Sequence, residues 1–196
     1  ALTSNQVSRR NIRLLILLSA AVYFSSYLTR LNYSAVLVEM IASEHYTRSA
    51  ASAALTGLFI TYGAGQLLSG YLGDRTKPQL LIFAGLLVSA AMNLLIPLCP
   101  GTGLMTAVWC VNGLAQAMMW PPLVRILSEL LSEADYKTAT VRVSWGSSLA
   151  TILIYLTAPL FIQWGGWRLI FFVCAVFTLV MAFVWIFCFR KLESKM

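Results

Sequence analysis

Six apolar blocks, each long enough to cross a bilayer, constrain this chain more than any other feature. They cover residues 12–40, 51–72, 80–98, 104–123, 138–162 and 168–189. A helix needs about 20 residues to cross the hydrocarbon, so each block suffices. The breaks between them have plain causes. "GDRTKPQ" (73–79) brings charge and a proline, "PGTG" (100–103) reads as a turn, "SEADYK" (132–137) is polar, and "WGGW" (164–167) reads as a glycine turn at a membrane interface. Only 11% of residues are charged, against about 25% in a soluble domain. The pattern predicts an all-α membrane protein with six transmembrane helices. A bundle at 12–189 lies between a segment at 1–11 and one at 190–196.

The distribution of basic residues sets the expected orientation. With the N-terminus inside, cytoplasmic segments hold Arg9, Arg10, Arg13, Arg75, Lys77, Lys137, Arg190, Lys191 and Lys195, with Arg125 and Arg142 near that side. The outer side holds Arg48 and Arg168. The positive-inside rule then places both termini in the cytoplasm. The net charge of +7 is spread over short loops and ends and forms no face, which excludes nucleic acid as a partner. Cys99, Cys110, Cys174 and Cys188 show no metal-binding spacing and read as packing residues. No cleavable signal peptide is expected, because the first block is too long for one.

Arg30 fits no loop. It lies seventeen residues after Arg13, about 25 Å along a helix. A charge at that depth costs at least a few kcal/mol, roughly 2.5–3.5 on insertion scales. Either it is a structural arginine tied to carbonyls or a carboxylate, or it is an anion site facing an aqueous cavity. No Asp or Glu lies deep in any block, and Glu39 sits near an outer end. Tyr23, Tyr27, Arg30 and Ser34 follow i, i+4, i+7, i+11, one helical stripe of two phenols, a guanidinium and a hydroxyl. The arginine fork offers paired donors to phosphate or carboxylate oxygens. The stripe favours the anion site.

Three stretches carry a family resemblance. "GYLGDRTKP" (70–78) resembles the loop signature of the major facilitator superfamily. "YLTRLNYS" (27–34) resembles the first helix of the organophosphate:phosphate antiporters, where an Arg followed by x-Asn binds substrate phosphate. "QAMMWPPLVR" (116–125) resembles their fourth helix. The Arg-x-Asn-x-Ser pattern is also similar to the related anion:cation symporters. The sequence departs from the glycerol-phosphate type at Leu31, Gln66 and Ser147, where that type places a lysine, a lysine and a histidine. Its site is thus less cationic.

The resemblance implies the N-terminal six-helix half of a major facilitator fold, built of two three-helix inverted repeats. A second six-helix half, or a second copy of the chain, would complete it. The implied function is secondary transport of an organic anion by alternating access, an organophosphate or sugar phosphate exchanged for phosphate, in a bacterial inner membrane. The alternatives are a proton-coupled symporter of sugar acids and a non-transporting membrane sensor on the same fold. Arg30, Tyr23, Tyr27, Tyr62 and Gln66 are the implied binding residues. Asn112, Gln116 and Trp120, at i, i+4, i+8 on the fourth block, either face Arg30 across the cavity or hydrogen-bond between helices. Ser147 and Thr151 are cavity candidates on the fifth block. Asp74, Arg75 and Arg125 are implied gate residues, with Asp74 pairing with Arg125. No enzyme, cofactor or metal site is expected, since the sequence shows no nucleophile–base pair, ligand cluster or phosphate-cradling loop.

Overall fold

The computed structural model describes residues 8–73 and 75–194. Among them every regular element is helical: α1 (Arg9–Glu44), α2 (Arg48–Gly73), α3 (Pro78–Leu95) with a 3-10 turn at Ile96–Leu98, α4 (Thr102–Ala117), α5 (Trp120–Leu130), α6 (Glu133–Gly165) and α7 (Trp167–Glu193). Four of these are long and apolar enough by themselves to cross a membrane: α1, α3 with its 3-10 extension, α6 and α7. The 26-residue α2 is about 39 Å long but rich in glycine, serine and threonine.

The fourth block carries the bend that Pro121 and Pro122 lead one to expect. It is broken at Met118–Met119 into α4 and α5, with Pro121 and Pro122 in the first turn of α5. Proline has no N–H to donate and fits a first turn, where that donor would be unpaired anyway. The polar stretch 132–137, expected as a break, instead opens α6. Ser132 caps it, its hydroxyl accepting from the Asp135 N–H at 3.2 Å, with Glu133 and Asp135 in the first turn. Acidic side chains there are favoured by the helix dipole. The turn at 164–167 hinges on Gly166, whose φ of 72° suits glycine.

Two helix pairs pack in parallel. Along α1 and α6, Arg9 meets Asp135, Ala20 meets Gly146, and Ser34 meets Tyr155. Along α2 and α4, Gly57 meets Thr106 and Cys110, and Gly65 meets Leu114 and Ala117. Small residues let the backbones close. A Cβ on Gly146 would stand 2.5 Å from the Ala20 carbonyl oxygen, and one on Gly113 would stand 2.5 Å from that of Leu58. Other neighbours include α3 with α7, α1 with α7, α3 with α4 and α5, and α6 with α7. Exchanging α1 for α4–α5, α2 for α6 and α3 for α7 maps these pairs onto one another, α6 with α7 excepted. That is the relation expected of two three-helix inverted repeats.

The core is divided by depth. Toward the termini, Leu15, Ile16, Ile82, Leu86, Leu123, Ile126, Trp185 and Phe189 form one apolar cluster. Toward the opposite side, Tyr33, Val36, Met40, Leu58, Met105, Trp109 and Phe171 form another. Between them lies a buried polar layer of Ser26, Thr29, Asn32, Ser89, Asn93, Asn112 and Gln116.

Candidate functional site

Seven amides and hydroxyls cannot be buried in the middle of a bundle without partners. Here they serve one another across α1, α3 and α4. Gln116 donates through Nε2 to Thr29 Oγ1 (3.1 Å) and Ser89 Oγ (2.9 Å). Its Oε1 accepts from Ser26 Oγ at 2.6 Å. Asn112 donates to the Thr29 carbonyl (3.0 Å) and accepts from Ser89 (2.7 Å). Asn93 donates to the same carbonyl (3.1 Å) and accepts from Asn32 Nδ2 (2.6 Å). Such interhelical bonds are worth about 0.6 kcal/mol each on average in a membrane. Their larger effect is to lock side-chain positions.

Arg30 sits at the edge of this layer, half-buried. Its guanidinium carbon lies 4.8 Å from the Tyr27 ring centroid and 4.5 Å from that of Tyr62, a cation held by two π faces. Nη2 points to Gln116 Oε1 at 3.5 Å, long for a hydrogen bond. Nε is buried and has no hydrogen-bond partner among the described residues. No ion pair forms at Arg30 among the described residues. Two rings and one distant amide oxygen therefore leave most of a charged fork unengaged.

The other expected residues divide around this centre. Tyr23 is buried, its ring 5.1 Å from Tyr27 and 4.8 Å from Trp120. Tyr62 on α2 is half-buried, with half-buried Gln66 one turn further along. Ser34, last of the α1 stripe, is 2.8 Å from the Tyr155 hydroxyl of α6. The parallel α1–α6 register brings Ser147 and Thr151 to about the depth of Tyr23 and Tyr27. Both are half-buried and donate back to their own helix, to Ser144 O (2.7 Å) and Ser147 O (2.8 Å). Asn112 is fully buried and spends its amide between helices. Gln116 is also fully buried and lines no open cavity. It bonds between helices and it reaches Arg30. Ser26, Thr29, Ser89 and Asn93 were not singled out from the sequence. The four-residue spacing of Ser89 and Asn93 in an apolar block was their one signal.

At the termini side, Asp74 lies outside the described residues. Arg125 bonds Glu129 at 2.7 Å and donates to the carbonyl of Gly73, the last residue of α2. Arg75 is exposed and stacks 4.2 Å over the Tyr71 ring. On the far side, Arg168 pairs with Glu44 at 2.7 Å and donates to the Pro97 carbonyl at 3.3 Å.

Comparison with known proteins gives a consistent result. The family model of the Major Facilitator Superfamily matches residues 19–196. A probable hexose phosphate transport protein of Chlamydia muridarum is 26% identical over 162 residues, covering 83% of this chain and 36% of that protein. A membrane sensor protein, UhpC, of Salmonella typhimurium is 28% identical over 127 residues, covering 65% and 28%. The crystal structure of a peptide transporter, POT, with alafosfalin superposes with a TM-score of 0.75 at 17% identity, over 93% of this chain and 38% of that one. The chain thus spans about a third of the length of the relatives it matches, and its fold is one half of theirs.

Proposed function

The chain belongs to the Major Facilitator Superfamily, and from that premise we propose that it forms half of a secondary transporter for a phosphorylated organic anion, with Arg30 as the anion-binding residue. One observation carries this reading. A mid-depth guanidinium is held by aromatic faces rather than by a carboxylate, and keeps a buried Nε–H donor free of protein partners among the described residues. An unmade buried bond at a charged group costs upward of about 1–3 kcal/mol. A phosphate or carboxylate oxygen engages the fork and removes that cost.

The neighbours fit the task. Tyr27 and Tyr62 hold the cation without neutralising it, and their hydroxyls extend the polar surface. Gln66, Ser147 and Thr151 offer neutral groups to the rest of a sugar-sized solute. The two rings preorganise the guanidinium, with Gln116 beside it at the edge of the polar layer. Asn112 supports that layer. Similarity to a hexose phosphate transport protein supports a sugar phosphate as the solute. Among the described residues no Asp or Glu lies at the depth of Arg30, which favours exchange against phosphate over proton coupling. Alternating access then rocks this bundle against a second six-helix half, supplied by further chain or by a second copy. Asp74, Arg75 and Arg125 would close the cytoplasmic gate, with both termini on that side of a bacterial inner membrane.

Counterflow tests the proposal. The protein in phosphate-loaded liposomes takes up labelled hexose phosphate, and Arg30→Ala abolishes uptake. Unchanged uptake in that variant refutes the assignment. Similarity to a membrane sensor protein supports a second reading, in which the same site binds the anion without moving it. Saturable binding with no exchange would identify it.

A further inference from the structure

A cavity of about 570 Å³ lies away from Arg30. It is a groove between the first half of α1 and the last turns of α7. Leu14, Leu17 and Ala21 form one wall and Val184 part of the other, with Arg10 and Lys191 at its mouth. At 3.6 residues per turn, the three α1 wall residues stand opposite the stripe of Tyr23, Tyr27 and Arg30. The groove therefore opens away from the proposed substrate site. It also continues the exposed apolar surface of α7, which carries Phe172, Val176, Val180, Phe183 and Phe187. A surface of that composition on a membrane-spanning helix faces lipid.

From this geometry we propose that the α1–α7 groove binds one anionic phospholipid, in the leaflet on the side of the chain termini. Three features select that occupant. Arg10 and Lys191 are exposed and form no ion pair among the described residues, so the mouth presents two cations. Basic mouths between transmembrane helices attract anionic headgroups, by about 1 kcal/mol per Lys or Arg near the surface. The wall from Arg10 to Ala21 spans about 16 Å at 1.5 Å per residue, the depth of one leaflet in a core of about 30 Å. The groove is thus charged at headgroup level and apolar for one acyl-chain length. A soluble phosphate would leave the apolar wall empty, and a zwitterionic lipid would leave the cations unmatched.

The test is thermal unfolding of the purified protein in detergent, with phosphatidylglycerol, phosphatidylcholine or inorganic phosphate added. Phosphatidylglycerol raises the melting temperature at concentrations where the other two do not. Arg10→Gln with Lys191→Gln leaves the lipid-free melting temperature unchanged and weakens the phosphatidylglycerol effect at least tenfold. Leu17→Trp, which fills the groove, weakens it similarly. Arg13→Gln with Arg142→Gln, and separately Arg30→Ala, leave it intact. Equal effects of the two lipids would overturn the proposal, as would a full effect of inorganic phosphate, or retention of the phosphatidylglycerol effect in the double variant or in Leu17→Trp.

Discussion

The side-chain oxygen of Gln116 accepts from Ser26 at 2.6 Å and stands 3.5 Å from Nη2 of Arg30. One atom thus joins the packed interior to the residue proposed to meet the substrate. Gln116 is 1% exposed, and its amide nitrogen is committed to Thr29 and Ser89. The oxygen cannot turn away from Arg30 without breaking both of those bonds.

Two substitutions at Gln116 separate its roles. Gln116→Glu puts a carboxylate beside Arg30, where it competes with any incoming anion. Sugar-phosphate binding falls at least tenfold, about 1.4 kcal/mol, while helical content is retained. Gln116→Leu removes the acceptor of the buried Ser26 hydroxyl and the bonds donated to Thr29 and Ser89, and lowers stability by about 1–3 kcal/mol. Equilibrium binding and thermal unfolding on the same samples read the two effects.

Tyr62 holds Arg30 through its ring, 4.5 Å from the guanidinium carbon. Tyr62→Phe therefore keeps the cation in place, whereas Tyr62→Leu removes an interaction of about 0.5–2 kcal/mol. The Leu variant binds anion several-fold more weakly than the Phe variant. Equal losses in the two would mean that the hydroxyl, rather than the ring, matters.

Gly146 and Gly63 should respond in opposite ways to an added side chain. A Cβ on Gly146 meets the Ala20 carbonyl at 2.5 Å, whereas one on Gly63 meets nothing within 4 Å. Gly146→Val pushes α6 off α1 and costs about 1–3 kcal/mol. Gly63→Ala is neutral or stabilising by up to about 1 kcal/mol, because alanine loses less backbone freedom in a helix. Thermal unfolding in detergent distinguishes them.

Glu44 ends α1 beyond the apolar run that closes at Met40. Its bonds from Arg168, and then from Trp167, hold its carboxyl below the usual carboxylate range. A lowered folded-state value means stabilisation that is complete above the unfolded carboxyl's value, about 4.3, and lost as pH falls through the folded one. The pair is partly exposed, with Arg168 at 45% and Glu44 at 25%, so its worth is below about 1 kcal/mol. Glu44→Gln lowers the melting temperature slightly at pH 7, and the difference from wild type shrinks as pH falls below the unfolded carboxyl's value. A pH titration of unfolding in wild type and variant gives the comparison.

Much of this architecture was readable along the chain, because a bilayer leaves little choice. With no water to satisfy backbone groups, each apolar block of spanning length must be helical, and Arg30 announced itself by its cost at depth. The 3.6-residue period placed Tyr23, Tyr27, Arg30 and Ser34 on one face, and the Trp-Pro-Pro stretch foretold a bend. Local sequence misjudged 132–137, where polarity marked a capped helix start rather than a loop. What only tertiary structure decided is which polar residues meet. Ser89 and Asn93 on α3, Asn112 and Gln116 on α4, and Ser26, Thr29 and Asn32 on α1 are isolated polar points on apolar helices. Helix register and crossing, set by contacts such as Gly146 on Ala20, bring them to one depth. Hydrogen bonds act over about 3 Å, so no pattern within a single helix specifies partners on another.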